Sequence, residues 1–513
     1  MLRWLCIVVA LLAWPAAASA GSPFVSICWH DVADADPDQT YMAVTTAKLV
    51  QQFNWLRENG YHPVSLDQIL AARDGGPPLP DKAVLLTFDD GYVSFYTHVF
   101  PLLKAFGYPA ALALVGSWLE VPADQLVPYG DDMAPRSLFV TWDQVREMTA
   151  SGLVEIASHT WNLHRGILAN PQGNTEPAVI TRLYDAAEGR YEDDETYRAR
   201  LARDFETNSA VIARETGRRP RMMVWPYGAY NRAAVEIARA AGMPLAATLD
   251  EGLGDSTDLS AIPRRLVMND PNLPAFVDDL RAAAMVPPVR AVQVDLDQVY
   301  DPDPSRQEAN IGRLIDRVKT LGANTVLLQA FTAQGEAWFA NAVLPVKADL
   351  FNRVAWQLMS RLNVLVYARL AVADPAVAED LARYSPLDGL VFEGAVEPDV
   401  ARAVVERVRT WRSPLFTAAA DPQAGAEYTV VVIGDDQTLR AALADAALYP
   451  AGLRHTLFTL PADLPGRDLQ RHLTALVLGG AKNLGFGPDD FLTGKPDAAA
   501  VVPIFSLKES HEK

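Results

Sequence analysis

Cysteine is almost missing from this sequence: there are two, Cys6 and Cys28, in 513 residues. Such a chain has no disulfide framework, so an exported protein built from it must be stable through its apolar core. Half of its residues are hydrophobic (50%), which is material for two sizeable domains. Positive charge is also short. There are 45 Lys and Arg against 63 Asp and Glu, and the net charge of -18 excludes nucleic acid and an anionic membrane as default partners. An acidic surface suits a cationic ligand, or simply keeps an exported protein soluble. A transmembrane span is missing too. The apolar run Leu5 to Trp14 is too short to be one; with Leu2-Arg3 before it and Ala18-Ser19-Ala20 after it, residues 1–20 read as a secretory signal peptide. Cys6 would leave with that segment, and a mature chain from Gly21 has no cysteine there for a lipid anchor. The predicted location is periplasmic or secreted, with Cys28 lacking an intrachain partner.

What the sequence does hold is a pair of chemistry-bearing strand ends. The apolar run Ala83 to Leu86 reads as a buried strand that stops at Asp89-Asp90-Gly91. Adjacent carboxylates at a strand end can reach one cleft by different routes, one to bind a metal and the other to act as a base. By itself, Asp-Asp-Gly is equally an Asx turn. A second apolar run, Leu153 to Ala157, leads into Ser158-His159-Thr160-Trp161-Asn162-Leu163-His164, so two of only eight histidines lie five residues apart. That spacing does not share a helical face, and a loop must bring the rings together. Two imidazoles and a carboxylate make a divalent-metal triad with positions left open.

Thr87-Phe88-Asp89-Asp90-Gly91 and His159-Thr160-Trp161-Asn162-Leu163-His164 resemble the first two motifs of the polysaccharide deacetylases of carbohydrate esterase family four. The resemblance implies that Asp89 is the general base and that Asp90, His159 and His164 hold one divalent ion, with zinc, nickel, cobalt and iron all compatible with the ligands. The family's Arg-x-Pro-Tyr motif is represented by Val224-Trp225-Pro226-Tyr227, with valine where the arginine that pairs with the base should stand. The tuning of Asp89 must therefore come from elsewhere. Tyr227 sits where the family supplies a backbone N–H to the oxyanion. After the first strand-like run, Phe24 to Trp29, comes His30-Asp31, and no histidine follows His164 until His455. His30 is thus the expected general acid, an arrangement similar to a circularly permuted branch that deacetylates poly-β-1,6-N-acetyl-glucosamine in biofilm export. That branch implies an N-acetylglucosamine polymer as substrate and export machinery as a partner. Trp161, Trp225 and Pro226 are expected to line a saccharide groove, although Trp residues beside a motif are equally expected as buried wall residues.

Alternating strand and helix patterns run from Phe24 to Thr248, with catalytic residues at strand C-terminal ends. They predict an α/β fold of two tandem β/α barrels, the first a distorted deacetylase barrel of about seven strands, as the resemblance implies. The polar segment Arg165 to Glu195 reads as a loop insertion near the site, either a lid or a solvated excursion. A boundary is expected near Met285-Val286-Pro287-Pro288, giving a deacetylase domain over 21–286 and a second domain over 287–513. In the second half, apolar runs recur at 291–296, 325–329, 364–368, 389–392, 415–418, 429–433, 455–460 and 483–487. Separated by helical segments, they predict a small (β/α)8 barrel.

This half is similar to the glycoside-hydrolase-like second domain of the same biofilm deacetylases, through Val294-Asp295-Leu296-Asp297, Leu328-Gln329-Ala330-Phe331 and Lys482-Asn483-Leu484-Gly485-Phe486. The family's His-Asp-Asp run is replaced by Phe392-Glu393-Gly394-Ala395. Glycoside hydrolysis needs a carboxylic acid against the leaving oxygen and usually a second carboxylate across the sugar. Asp295, Asp297 and Glu393 are the candidates, but a binding or scaffolding role is favoured because the loops that would build the groove are short. Two rivals to deacetylation of the β-1,6 polymer stand: action on chitin oligosaccharide or peptidoglycan, and a non-catalytic saccharide-binding protein.

Overall fold

The computed structural model describes residues 21–130, 132–282, 288–412, 416–420, 426–444 and 452–506. The expected signal peptide and most of the expected boundary lie outside these residues. In the first half, a curled sheet runs in the order Leu245–Ala247, Met222–Val224, Val154–Ser158, Ala110–Leu114, Ala83–Phe88, Pro23–Trp29 and Gly254–Asp255. Two further short strands, His62–Pro63 and Arg265–Leu266, pair at its side. The strands from Leu245 round to Pro23 are parallel, and Gly254–Asp255 closes the path antiparallel. The sequence explains this: Ala83–Phe88 and Ala110–Leu114 are buried at every position, the continuous apolar run that a parallel strand covered on both faces requires.

Register decides where the chemistry emerges. Trp29 pairs with Phe88, Leu114 with Ser158, and Val224 with Ala247. The residues that follow these strand ends, His30, Asp89 and His159, therefore leave the sheet along one edge.

In the second half, eight parallel strands close into a barrel: Arg290–Val294, Thr325–Gln329, Leu365–Leu370, Gly389–Phe392, Phe416–Ala419, Tyr428–Val432, Thr456–Pro461 and Asn483–Gly487. Amphipathic helices cover it. Pro304–Leu321 buries Ile311, Leu314, Ile315 and Val318 on one stripe, begins with proline after the capping Asp303, and ends on Gly322 in the left-handed conformation.

The insertion after the metal-motif loop is neither a lid nor a solvated excursion. It forms two hairpins, Gly166–Leu168 with Thr175–Pro177 and Tyr184–Asp185 with Arg190–Tyr191, which dock on the second barrel. Asn170 Nδ2 donates to Asn352 Oδ1 at 2.7 Å, Gln172 Nε2 donates to the Asp349 carbonyl at 2.7 Å, and the Tyr191 hydroxyl donates to the Asp349 carboxylate. One apolar cluster runs through the seam, from Leu163, Val179 and Tyr197 to Leu381, Val404 and Trp411. The two barrels therefore share packing instead of hanging from a linker. Among the described residues, no helix is long and apolar enough to cross a membrane.

Candidate active site

At the end of the strand Ala83–Phe88 the backbone turns sharply. Asp90 and Gly91 both take positive φ, 70° and 72°. This turn sends the two carboxylates different ways. Asp90 faces His159 and His164, whose Nε2 atoms each lie 3.4 Å from Asp90 Oδ1, an oxygen with no hydrogen-bond partner. Asp89 faces Arg264, which donates to both of its oxygens, Nη1 to Oδ1 at 2.7 Å and Nη2 to Oδ2 at 2.9 Å.

Arg264 is the substitute for the missing motif arginine. It arrives from the short stretch Ile262-Pro263-Arg264-Arg265-Leu266, beside the strand Pro23–Trp29. Burial would raise the Asp89 pKa, but the Arg264 guanidinium, helped by His159 and His30, holds it at about 2. The only sequence signal was an arginine pair embedded in an apolar, strand-like run.

Three groups within reach of one another fit a divalent ion: Asp90, His159 and His164, whose ligand atoms all lie within 4.8 Å. His159 donates Nδ1–H to the Val224 carbonyl at 2.7 Å, which leaves the Nε2 lone pair toward Asp90. Burial lowers the His164 pKa to about 4, so its ring is held neutral, the form in which an imidazole could bind a metal. Burial would likewise lower His159, but the Asp90 carboxylate beside it, with Asp89 close by, outweighs that and raises it. Asp90 itself is held far below the carboxylate range, the histidines overcoming its desolvation. An uncompensated acceptor beside two imidazole lone pairs is a donor set in need of a cation.

Cys28, His30 and Asp89 also cluster within 4.8 Å. They make a poorer metal site, because burial keeps the Cys28 thiol protonated and Asp89 is already saturated by Arg264. The cluster nevertheless puts the His30 ring beside Asp89, where sequence reasoning expected an acid beside a base. Burial lowers the His30 pKa, while the Asp89 and Asp90 charges oppose the shift.

Two tyrosines went unforeseen. Tyr92 and Tyr129 donate to Asp90 Oδ2 at 3.1 and 3.2 Å and lie 2.6 Å from each other. Tyr129 comes from a hairpin, Leu126–Tyr129 with Asp132–Pro135.

The expected saccharide wall is corrected in part. Trp225 is fully buried, stacked on Tyr230 and packed against Phe205, and Pro226 is buried as well. Neither offers exposed surface to a sugar. Trp161 is only partly buried. Tyr227 is exposed, in the left-handed conformation (φ 59°), with its ring 4.5 Å from that of His164.

In the second barrel, Arg369 reaches across the strand C-terminal ends to Asp295, and its Nε donates to Glu393 at 2.7 Å. Asp297 accepts from Gln329 Nε2 at 2.8 Å. The three candidate carboxylates do gather at one barrel mouth, yet two of them are spent on a single guanidinium.

Residues 76–246 match the family model described as polysaccharide deacetylase, and residues 293–385 match one described as hypothetical glycosyl hydrolase family 13. A poly-beta-1,6-N-acetyl-D-glucosamine N-deacetylase of Escherichia coli K12 is 46% identical over 355 residues, 68% of this chain and 53% of that protein. A solved de-N-acetylase from Aggregatibacter actinomycetemcomitans is 41% identical, with 50% of this chain and 100% of that one covered and a TM-score of 0.48. The chain carries a polysaccharide deacetylase domain. Its deacetylase domain is followed by a glycosyl-hydrolase-like barrel. A glycoside hydrolase domain from Bordetella bronchiseptica is 26% identical, covering 44% of this chain and 100% of that one with a TM-score of 0.39. The chain spans about half the length of the Escherichia coli relative it matches.

Proposed function

We propose that this chain is an exported, metal-dependent N-deacetylase of poly-β-1,6-N-acetyl-D-glucosamine, working with exopolysaccharide export machinery in biofilm formation. The domain boundaries proposed are 21–286 for the deacetylase and 287–513 for the barrel. The observation that carries the reading is the bidentate Asp89–Arg264 ion pair one residue away from the Asp90, His159 and His164 cluster. The Escherichia coli relative, 46% identical, supplies the substrate class.

Asp90, His159 and His164 would hold a divalent ion, with zinc, nickel, cobalt or iron compatible. Such an ion supplies Lewis acidity, polarising the acetamide carbonyl and lowering the pKa of the attacking water. Asp89 takes a proton from that water at a carboxylate oxygen. Arg264 keeps Asp89 ionised, and so able to accept that proton, while the low pKa of about 2 makes it a weak base. The backbone N–H of Tyr227 donates to the oxyanion as it develops. His30 gives a proton to the departing sugar amine, and acetate leaves. Trp161 and the exposed Tyr227 ring are the aromatic faces available to the sugar. The barrel is assigned to polymer binding, since Arg369 ties up Asp295 and Glu393, which a glycosidase would need free. An excess of negative charge would hold the amine-bearing product.

The test is acetate release and chain length on β-1,6-linked and β-1,4-linked N-acetylglucosamine oligomers with metal-reconstituted protein. Acetate from the β-1,6 series with intact chains is expected, and Asp89→Asn should abolish it while metal still binds. Acetate at the wild-type rate from Asp89→Asn, or from the β-1,4 series alone, would sink the assignment.

A further inference from the structure

The stretch from His159 to His164 is six residues long and carries two of the three proposed metal-binding side chains, yet it belongs to no helix or strand of its own. Thr160 sits there in the left-handed region at φ 71°, a conformation that a β-branched residue does not adopt unless something holds it.

What holds it is one face of the long helix Asp194–Thr216. Asp204 and Asn208, four residues apart and both buried, lie on the same side of that helix. Asp204 Oδ1 accepts from the Trp161 backbone N–H and Oδ2 from the Asn162 backbone N–H, both at 2.8 Å. Two converging N–H donors call for an acceptor-only group with two oxygens, which a carboxylate is and an amide is not. One turn later, Asn208 Nδ2 donates to Ser158 Oγ at 2.8 Å and to the Leu114 carbonyl at 3.1 Å, and its Oδ1 accepts from the Gly116 N–H at 3.1 Å. The Leu114 carbonyl also receives the His159 N–H at 3.0 Å. The helix is thus fastened to the stem before His159 and to the turn before His164. The close approach explains Gly116: a Cβ there would lie 2.1 Å from Asn208 Oδ1 and 2.9 Å from the Trp161 ring.

We infer that Asp204 and Asn208 are positioning residues that preset the separation of His159 and His164, and with it the affinity for the divalent ion. The inference rests on the reading that Asp90, His159 and His164 bind that ion. Neither residue touches the ion or the substrate; each acts through the backbone of the loop, as supporting groups around a metal do elsewhere.

The test is the dissociation constant for Zn2+ by chelator competition, together with the visible absorption spectrum of the Co2+ form, which reports ligand geometry. Asp204→Asn keeps the size of the side chain but turns one acceptor into a donor facing an N–H. It is expected to weaken Zn2+ binding about 10- to 100-fold and to alter the Co2+ spectrum, and Asn208→Ala is expected to act in the same direction. A binding constant within twofold of wild type in both variants, even with a lowered melting temperature, would overturn the inference. Should either variant fail to fold, hydrogen exchange on the wild-type chain without metal decides: the Trp161 and Asn162 amides should be protected, and fast exchange there would count against a preset loop. His164→Ala separates the two failures. If it binds Zn2+ like wild type, the underlying metal reading is wrong; if it loses Zn2+ while Asp204→Asn does not, only the positioning role is lost.

Discussion

In the proposed mechanism, Arg264 decides what kind of base Asp89 is. With its guanidinium in place the carboxylate is held at about 2 against an ordinary 3.8, so it is ionised throughout the working range. A depressed carboxylate contributes stability that is present above its unfolded pKa and is lost as pH falls, here between about 4 and about 2. Arg264→Ala leaves a buried carboxylate without its partner and should cost about 3–5 kcal/mol of stability, readable by denaturant titration. Arg264→Lys keeps the charge but gives up the two-pronged geometry. It should lower kcat and move the acid limb of the kcat profile to higher pH, toward the ordinary carboxylate range; an unmoved limb would mean that Arg264 does not tune Asp89. Asp89, Asp90, His159 and His30 stood out in the sequence as candidates because each sits at the abrupt end of an apolar run, and His164 because it lies in the loop that follows His159. Arg264 was not, since its role depends on a strand pairing, Ile27 with Arg265, between residues far apart in the chain.

Among the elements, the insertion from Arg165 to Glu195 departs most from expectation. Its polar, glycine- and proline-bearing composition reads as exposed loop, but Asn174 and Glu176 are buried, held by hairpin pairing and by contact with the second barrel. Polar sequence is compatible with burial when partners are supplied, and here the other domain supplies them: Asn352 for Asn170, Asp349 for Tyr191. Asn352→Ala would strand the buried Asn170 amide and should cost about 1–3 kcal/mol in thermal or urea unfolding. Acetate release from a short acetylated oligomer should stay near wild type, because these hairpins form a seam and not a lid. A large fall in kcat with unchanged stability would restore the lid. By contrast, the eight barrel strands were legible almost residue by residue, 389–392 and 483–487 coinciding with Gly389–Phe392 and Asn483–Gly487. Short apolar runs separated by amphipathic helices leave a parallel barrel little freedom.

At the scale of the whole molecule, the seam between the barrels carries a buried charge that the proposed chemistry does not use. Glu176 comes from the first half and faces Arg412 from the second, and one atom of each, Glu176 Oε1 and Arg412 Nη1, has no hydrogen-bond partner. Burial pushes Glu176 up to about 8, with Arg412 opposing and Asp349 adding to the rise. Its folded pKa exceeds the unfolded 4.5, so the native state binds the extra proton between those values and loses stability as pH rises from about 4.5 to about 8. Glu176→Gln should flatten that slope. The measurement is the melting temperature at several pH values across the interval, and an unchanged slope in the variant would place the charge elsewhere.

The sequence by itself determined the two barrels, the strand ends on which the chemistry sits, and the residue types gathered there, since these follow from local patterns of burial and turn formation. Tertiary structure alone decided which arginine holds Asp89, that Asp204 and Asn208 brace the histidine loop, that Trp225 and Pro226 are buried, and that Arg369 occupies Asp295 and Glu393 in the second barrel. Each of those outcomes is a pairing between residues distant in sequence. Such pairings are set by strand register and helix docking, and no local pattern encodes them.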